Sequence, residues 1–258
     1  MNEKFNRLNI SSVLRDCALT YPEALIQAEM LDIPRIKYHI SLVVERTTGN
    51  IRICDLGGGI GLFSVGCGAL GMSSILVDDF RDNVNAKFES VPRVVHKKFN
   101  VEVISSDVIE SPPAFERESL DVVTSFDSFE HWHHSPKHLF HEVMQWLKPN
   151  GLFVLGMPNC VNLRKRITVP FGYGKWSRME DWYEESVFRG HVREPDVADL
   201  RYIGQSLKLK EIEIIGRNWL GYHSRFNWVR ILTPFVDRPL GLFPSLCSDL
   251  YLIGRKSS

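Results

Sequence analysis

The segment that most constrains this chain is Ile51-Arg-Ile-Cys-Asp55-Leu-Gly57-Gly-Gly59-Ile-Gly61, an apolar run closed by an acid and followed by spaced glycines. It reads as a strand, a tight turn and the start of a helix. Glycines there allow positive φ and let a ligand lie against backbone with no Cβ in the way. The helix N-terminus adds unpaired N–H groups that suit polar ligand atoms. Further apolar runs follow at 74–78, 101–105, 120–125, 151–157, 209–216 and 249–254, and helical patterns at 61–70, 137–147 and 196–207 alternate with them. That alternation predicts an α/β fold with a doubly wound, mostly parallel sheet. Ahead of it, 21–48 reads as two helices split at Pro34. With 44% hydrophobic residues the 258-residue chain can bury a large core. A single domain is expected, divided into an N-terminal helical cap (1–49), a core (50–159), a lid insertion (160–194) and a C-terminal part (195–258).

The acids narrow the ligand. Asp55, Asp78 and Asp107 each close one of three successive strands and so fall along one edge of the sheet. A carboxylate in the position of Asp78 can accept hydrogen bonds from both hydroxyls of a ribose. A dinucleotide is the rival ligand, but the G-x-G-x-x-G fingerprint lacks its third glycine: Gly57-x-Gly59 leads to Leu62 and Gly59-x-Gly61 to Ser64. A pyrophosphate is also repelled by a neighbouring carboxylate such as Asp55, whereas a cationic nucleoside is attracted. Lys+Arg and Asp+Glu balance at 31 each, which argues against a nucleic-acid partner. The five cysteines form no C-x-x-C pair, so buried reduced thiols are expected. The N-terminus MNEKFNRLNI has no secretory apolar core, and no run is long enough to span a bilayer. A cytoplasmic protein without an integral membrane segment is the resulting expectation.

Asp55-Leu-Gly57-Gly-Gly59-Ile-Gly61 resembles the first motif of class I S-adenosylmethionine-dependent methyltransferases. Val77-Asp78 is similar to that family's second-strand acid and Ser106-Asp107-Val108 to its third-strand acid. Asp121-Val-Val-Thr-Ser-Phe126-Asp127-Ser-Phe-Glu130-His131, Leu147-Lys-Pro-Asn150-Gly151, Met157-Pro158-Asn159 and Gly190-His191-Val192-Arg193-Glu194 resemble landmarks of the ubiquinone/menaquinone-type small-molecule subgroup. The resemblance implies a Rossmann-like seven-stranded sheet with an antiparallel last strand. It implies S-adenosyl-L-methionine as cofactor and S-adenosylhomocysteine as product. Gly57, Gly59 and Gly61 would then approach the amino-acid part of the cofactor with Asp55 nearby. Asp78, or its neighbour Asp79, would take the ribose, with Asp78 preferred. Asp107 and Val108 would face the adenine, and Phe126 and Asp127 the methionine moiety.

Methyl transfer from a sulfonium mainly requires an aligned acceptor. A hydroxyl acceptor also requires a base; candidates cluster at Glu130-His131-Trp132-His133-His134, and His131 is preferred because it lies in the motif. The crowd of histidines at 133, 134, 138 and 141 reads as a solvated helix start rather than a metal site, so no metal is expected. The 160–194 insertion mixes Phe171, Tyr173, Trp176, Trp182, Tyr183 and Phe188 with charges of both signs, which suits a sugar or ring substrate. Trp182, Tyr183, His191 and Arg193 are the substrate candidates. For 218–248 a pocket cover or a dimer contact is preferred over a membrane-surface contact, so a homodimer stays open. The reading is methyl transfer to a small molecule, oxygen before nitrogen: a sugar or glycan precursor first, a quinone-like or lipid-linked acceptor second. The alternatives are a catalytically silent cofactor-binding scaffold and an NAD-dependent oxidoreductase.

Overall fold

The computed structural model describes residues 9–81, 91–174 and 176–257; residues 1–8 of the expected cap lie outside them. Two helices open the chain. Helix α1 (Ile10–Ala18) starts at Asn9, whose side chain accepts the Ser12 N–H, and α2 covers Glu23–Val44. The expected break at Pro34 does not occur, because Pro34 sits inside α2. Proline in a helix forfeits a hydrogen bond and crowds the preceding turn. Here Arg35 grips Asp32 across that turn at 2.8 and 2.7 Å, and Ile36, Ile40, Val43 and Val44 are buried beyond it. Local propensity yields to tertiary burial.

Strand β1 (Arg52–Leu56) is followed by α3 (Leu62–Ala69), β2 (Ser73–Asp78), α4 (Val91–Lys98), β3 (Val101–Ser105) and β4 (Leu120–Phe126). Next come α5 (Lys137–Trp146) and β5 (Leu147–Pro158). The lid insertion contributes α6 (Leu163–Thr168) and α7 (Met179–Tyr183). Helix α8 (Val197–Ser206) opens on an Asp196/Asp199 capping box and leads to β6 (Lys210–Arg217). Between β6 and β7 (Asp249–Arg255) lie α9 (Trp219–Tyr222) and α10 (Asn227–Gly241).

The sheet order is β3-β2-β1-β4-β5-β7-β6. Strand β1 pairs in parallel with β2 and β4, and β2 with β3, whereas β6 and β7 run antiparallel. The doubly wound, mostly parallel sheet with an antiparallel last strand is therefore present.

The chain divides into two compact units. The first takes in the described residues up to Ser125 together with Lys137–Phe153; the second takes in Phe126–Pro136 and the described residues from Val154 to Ser257. Each has its own apolar interior, with Ile40, Ile53, Leu76 and Phe153 in the first and Leu155, Leu200, Leu250 and Leu252 in the second. Among the described residues no helix is long and apolar enough to cross a membrane.

Candidate functional site

In the first unit the site is built around the turn after β1. Gly57, Gly59 and Gly61 all adopt positive φ, at 71°, 57° and 72°, a region that a side chain disfavours. The Gly57 N–H donates to the Val77 carbonyl at 2.7 Å, hanging the turn on β2. Asp78 closes β2. Its Oδ2 accepts the Gly59 N–H at 2.8 Å and its Oδ1 the Phe80 N–H at 2.7 Å. A carboxylate oxygen can accept more than one hydrogen bond, so holding the glycine turn is compatible with accepting from a ligand hydroxyl. Asp79 is half-buried, and its Oδ1 accepts the Arg81 N–H at 3.0 Å.

Asp55 lies beneath the turn. Its Oδ1 accepts from Thr124 Oγ1 at 2.7 Å and its Oδ2 from Ser64 Oγ at 3.4 Å. A Cβ on Gly58 would stand 2.3 Å from that Oδ2, so a glycine outside the expected set is what lets the turn rest on the acid. Burial drives the Asp55 pKa up to about 7, against the hydrogen bonds from Thr124 and Ser64 and with the Asp78 charge adding to the rise. Strand pairing sets Asp78 opposite Ser105. Asp107 follows β3, its Oδ1 accepting the N–H groups of Ile109 and Glu110, and Val108 beside it is buried.

In the second unit Phe126 ends β4 and leans on Tyr251, ring centres 6.2 Å apart. Asp127 follows with φ 50°, and its N–H donates to the Gly156 carbonyl at 2.8 Å. A 3₁₀ turn over Phe129–His131 then presents Glu130 and His131. His131 Nδ1 lies 2.7 Å from the Arg189 carbonyl. A carbonyl only accepts, so that nitrogen carries the proton and Nε2 keeps its lone pair. His191 Nδ1 likewise donates to Glu194 Oε1 at 2.7 Å. Glu194 also pairs with Lys165. Burial alone would raise the Glu194 pKa, but its bonds to His191 and Lys165 hold it at about 2.

Both histidine Nε2 atoms stand 4.0 Å from Glu130 Oε1, and the two rings meet edge to face at 5.0 Å. Glu130 is buried, and its Oε2 has no hydrogen-bond partner. Burial, then the charge of Asp127, pushes the Glu130 pKa well above the usual carboxylate value. Burial also lowers that of His131, against the bond to Arg189. Glu130, His131 and His191 therefore offer one oxygen and two imidazole nitrogens within 4.8 Å of one another, a donor set that suits a divalent cation.

The structure thus brings His131 and His191 together with Glu130, one of the candidate bases of the 130–134 cluster, and adds Glu194, to which the sequence assigned no role. Of the other substrate candidates, Arg193 touches this cluster through its backbone alone, its N–H donating to the Glu130 carbonyl at 3.2 Å. The Arg193 guanidinium lies 3.9 Å from Asp199, and Trp182 and Tyr183 are exposed on α7.

A family model described as a methyltransferase domain matches residues 31–208, well over half of the chain. No curated protein matches it. Similar solved structures include a SAM-dependent methyltransferase from Archaeoglobus fulgidus, at 20% identity and TM-score 0.54, covering 86% of this chain and 94% of that one. An S-adenosylmethionine-dependent methyltransferase from Mesorhizobium loti shows 18% identity and TM-score 0.55, covering 87% and 97%. Phosphoethanolamine N-methyltransferase 2 from Haemonchus contortus, in complex with S-adenosyl-L-methionine, shows 17% identity and TM-score 0.55 over 86% of this chain. This chain spans 53% of the length of that enzyme. At these identities the likeness is one of fold, and the family match carries the assignment: the chain belongs to the methyltransferase-domain family.

Proposed function

We propose that this protein transfers a methyl group from S-adenosylmethionine to a hydroxyl of a small-molecule acceptor. The observation that carries the reading is Asp78, a carboxylate at the end of β2 that ties down the glycine turn through Gly59, where the ribose of the cofactor would lie. The buried Asp55 below the turn and Asp107 beyond β3 supply further acidic character suited to a cationic nucleoside. His131 is the base: its Nδ1–H is spent on Arg189, leaving Nε2 to take the hydroxyl proton while the methyl group passes from sulfur to oxygen. His191, fixed by Glu194, positions the His131 ring edge-on. A sugar or glycan precursor agrees with the aromatic, mixed-charge lid.

A second reading of the activation step is favoured by the unpartnered Glu130 Oε2. Glu130, His131 and His191 would hold a divalent cation that lowers the acceptor hydroxyl's pKa.

The test follows methyl-labelled cofactor into fractionated small-molecule extract and measures S-adenosylhomocysteine affinity by calorimetry. Asp78→Ala should weaken that affinity at least about tenfold, the worth of hydrogen bonds to a charged group. Unchanged affinity sinks the cofactor assignment. His131→Ala should leave affinity intact and lower turnover about 10²- to 10⁴-fold. Dialysis against a chelator separates the two activation readings: turnover persists if His131 acts alone, and is lost and restored by added divalent cation if a metal acts.

A further inference from the structure

Helix α10 wears its apolar stripe on the outside. Trp228, Ile231, Leu232 and Phe235 recur at helical spacing and are 50% exposed or more, and Leu242 and Phe243 extend the patch at 77% and 62%. The buried positions of the helix are polar, Thr233 and Asp237. The orientation is anchored. Asp237 accepts from the Asn218 backbone and side chain at 3.0 Å and pairs with Arg217 at 2.7 Å. Thr233 packs so closely on α9 that a Cβ on Gly221 would stand 2.3 Å from its Oγ1. The helix cannot roll its stripe inward without stripping the buried Asp237 of its partners Arg217 and Asn218.

An exposed aromatic–aliphatic patch of this kind calls for a cover, and charge says which. Asp237 is the one acid of residues 218–248, and it is buried and paired. The exposed charges of that stretch are Arg225, Arg230 and Arg238. A second copy of the chain on a two-fold axis would set this arginine-flanked patch against itself, with no exposed acid in the segment to relieve it. A bilayer with anionic headgroups meets both demands, taking apolar and aromatic side chains at its interface and arginines at its phosphates.

We infer that α10 with Leu242 and Phe243 is an interfacial anchor that docks the protein on an anionic membrane surface: Trp228, Ile231, Leu232 and Phe235 enter the headgroup–acyl boundary, and Arg225, Arg230 and Arg238 meet the lipid phosphates. The inference stands apart from the acceptor's identity. A methyltransferase with soluble substrates would dock in the same way.

The experiment is flotation of the full chain with vesicles of phosphatidylcholine alone or mixed with phosphatidylglycerol. The protein should float with the mixed vesicles, much less with the neutral ones, and added salt should release it. Trp228→Ser with Phe235→Ser should lower partitioning at least about tenfold, the worth of withdrawing two large side chains from an apolar phase. Arg230→Ala and Arg238→Ala should each lower it about fivefold. All four side chains are exposed, and an unchanged melting temperature with retained S-adenosylhomocysteine binding checks that the variants fold. The inference is overturned if wild type and the double serine variant float alike. It is equally overturned if neutral vesicles bind as well as anionic ones. A dimer in sedimentation that Phe235→Ser dissolves, with no flotation, would assign the patch to a second copy and overturn it too.

Discussion

Asp55 is the residue that ties the stability of the glycine turn to pH. Its pKa of about 7 in the folded chain exceeds the ordinary aspartate value of 3.8, chiefly through burial. Between those values the folded state holds a proton that the unfolded chain releases. The contribution of this group to stability is thus full below about pH 3.8 and is lost as pH rises through 7. Urea titrations from pH 5 to 8 should show that decline in the wild type and a flatter profile in Asp55→Asn. A variant declining as steeply as wild type would place the titration elsewhere. A cation bound above the turn favours the ionised carboxylate, so cofactor affinity should rise over the same pH window. The glycine pattern and the acid at position 55 were plain in the sequence. The role of Gly58 was not, because a close approach of 2.3 Å between a notional Cβ and a carboxylate exists only once the turn is folded over it.

At the scale of elements, β5 shows how a strand reaches into the site. Gly156 lies between Phe126 and Tyr251: a Cβ there would meet the Tyr251 ring at 2.6 Å and the Phe126 ring at 2.7 Å. Its carbonyl also holds the Asp127 N–H. Gly156→Ala should therefore cost about 1–3 kcal/mol by overpacking, seen as a fall in melting temperature of about 2–4 °C per kcal/mol for a chain of this size. A melting temperature equal to wild type would mean that the two rings yield freely. Strand positions were legible in the sequence because short apolar runs bounded by glycine, proline and acids are a local signal. The course of α2 through Pro34 was not, because the side chains that outweigh the proline are buried by distant parts of the chain. The stripe of α10 misleads in the same way. Periodicity marks an apolar face, and the ordinary reading buries it, whereas Asp237 and its partners Asn218 and Arg217 claim the inward side.

For the whole molecule, charge balance has a colloidal consequence. With 31 bases against 31 acids the formal net charge at pH 7 is zero, so molecules in dilute buffer lack long-range repulsion. Light scattering should report most self-association near pH 7 at low salt and less at pH 8.5; a flat profile would show that local patches govern association instead. The sequence by itself determined the order of the strands, the helices after β1, after β4 and before β6, the glycine turn, the acids at the strand ends and hence the methyltransferase-like fold. Those features rest on spacing and on backbone freedom, which are properties of neighbours in the chain. Only tertiary structure decided that His131, His191 and Glu130 share one cluster, that Glu194 and Lys165 stand behind it, and that α10 turns its aromatics outward. Each of those depends on groups far apart in sequence competing for burial and for hydrogen-bond partners, and that competition is resolved only when the chain has folded.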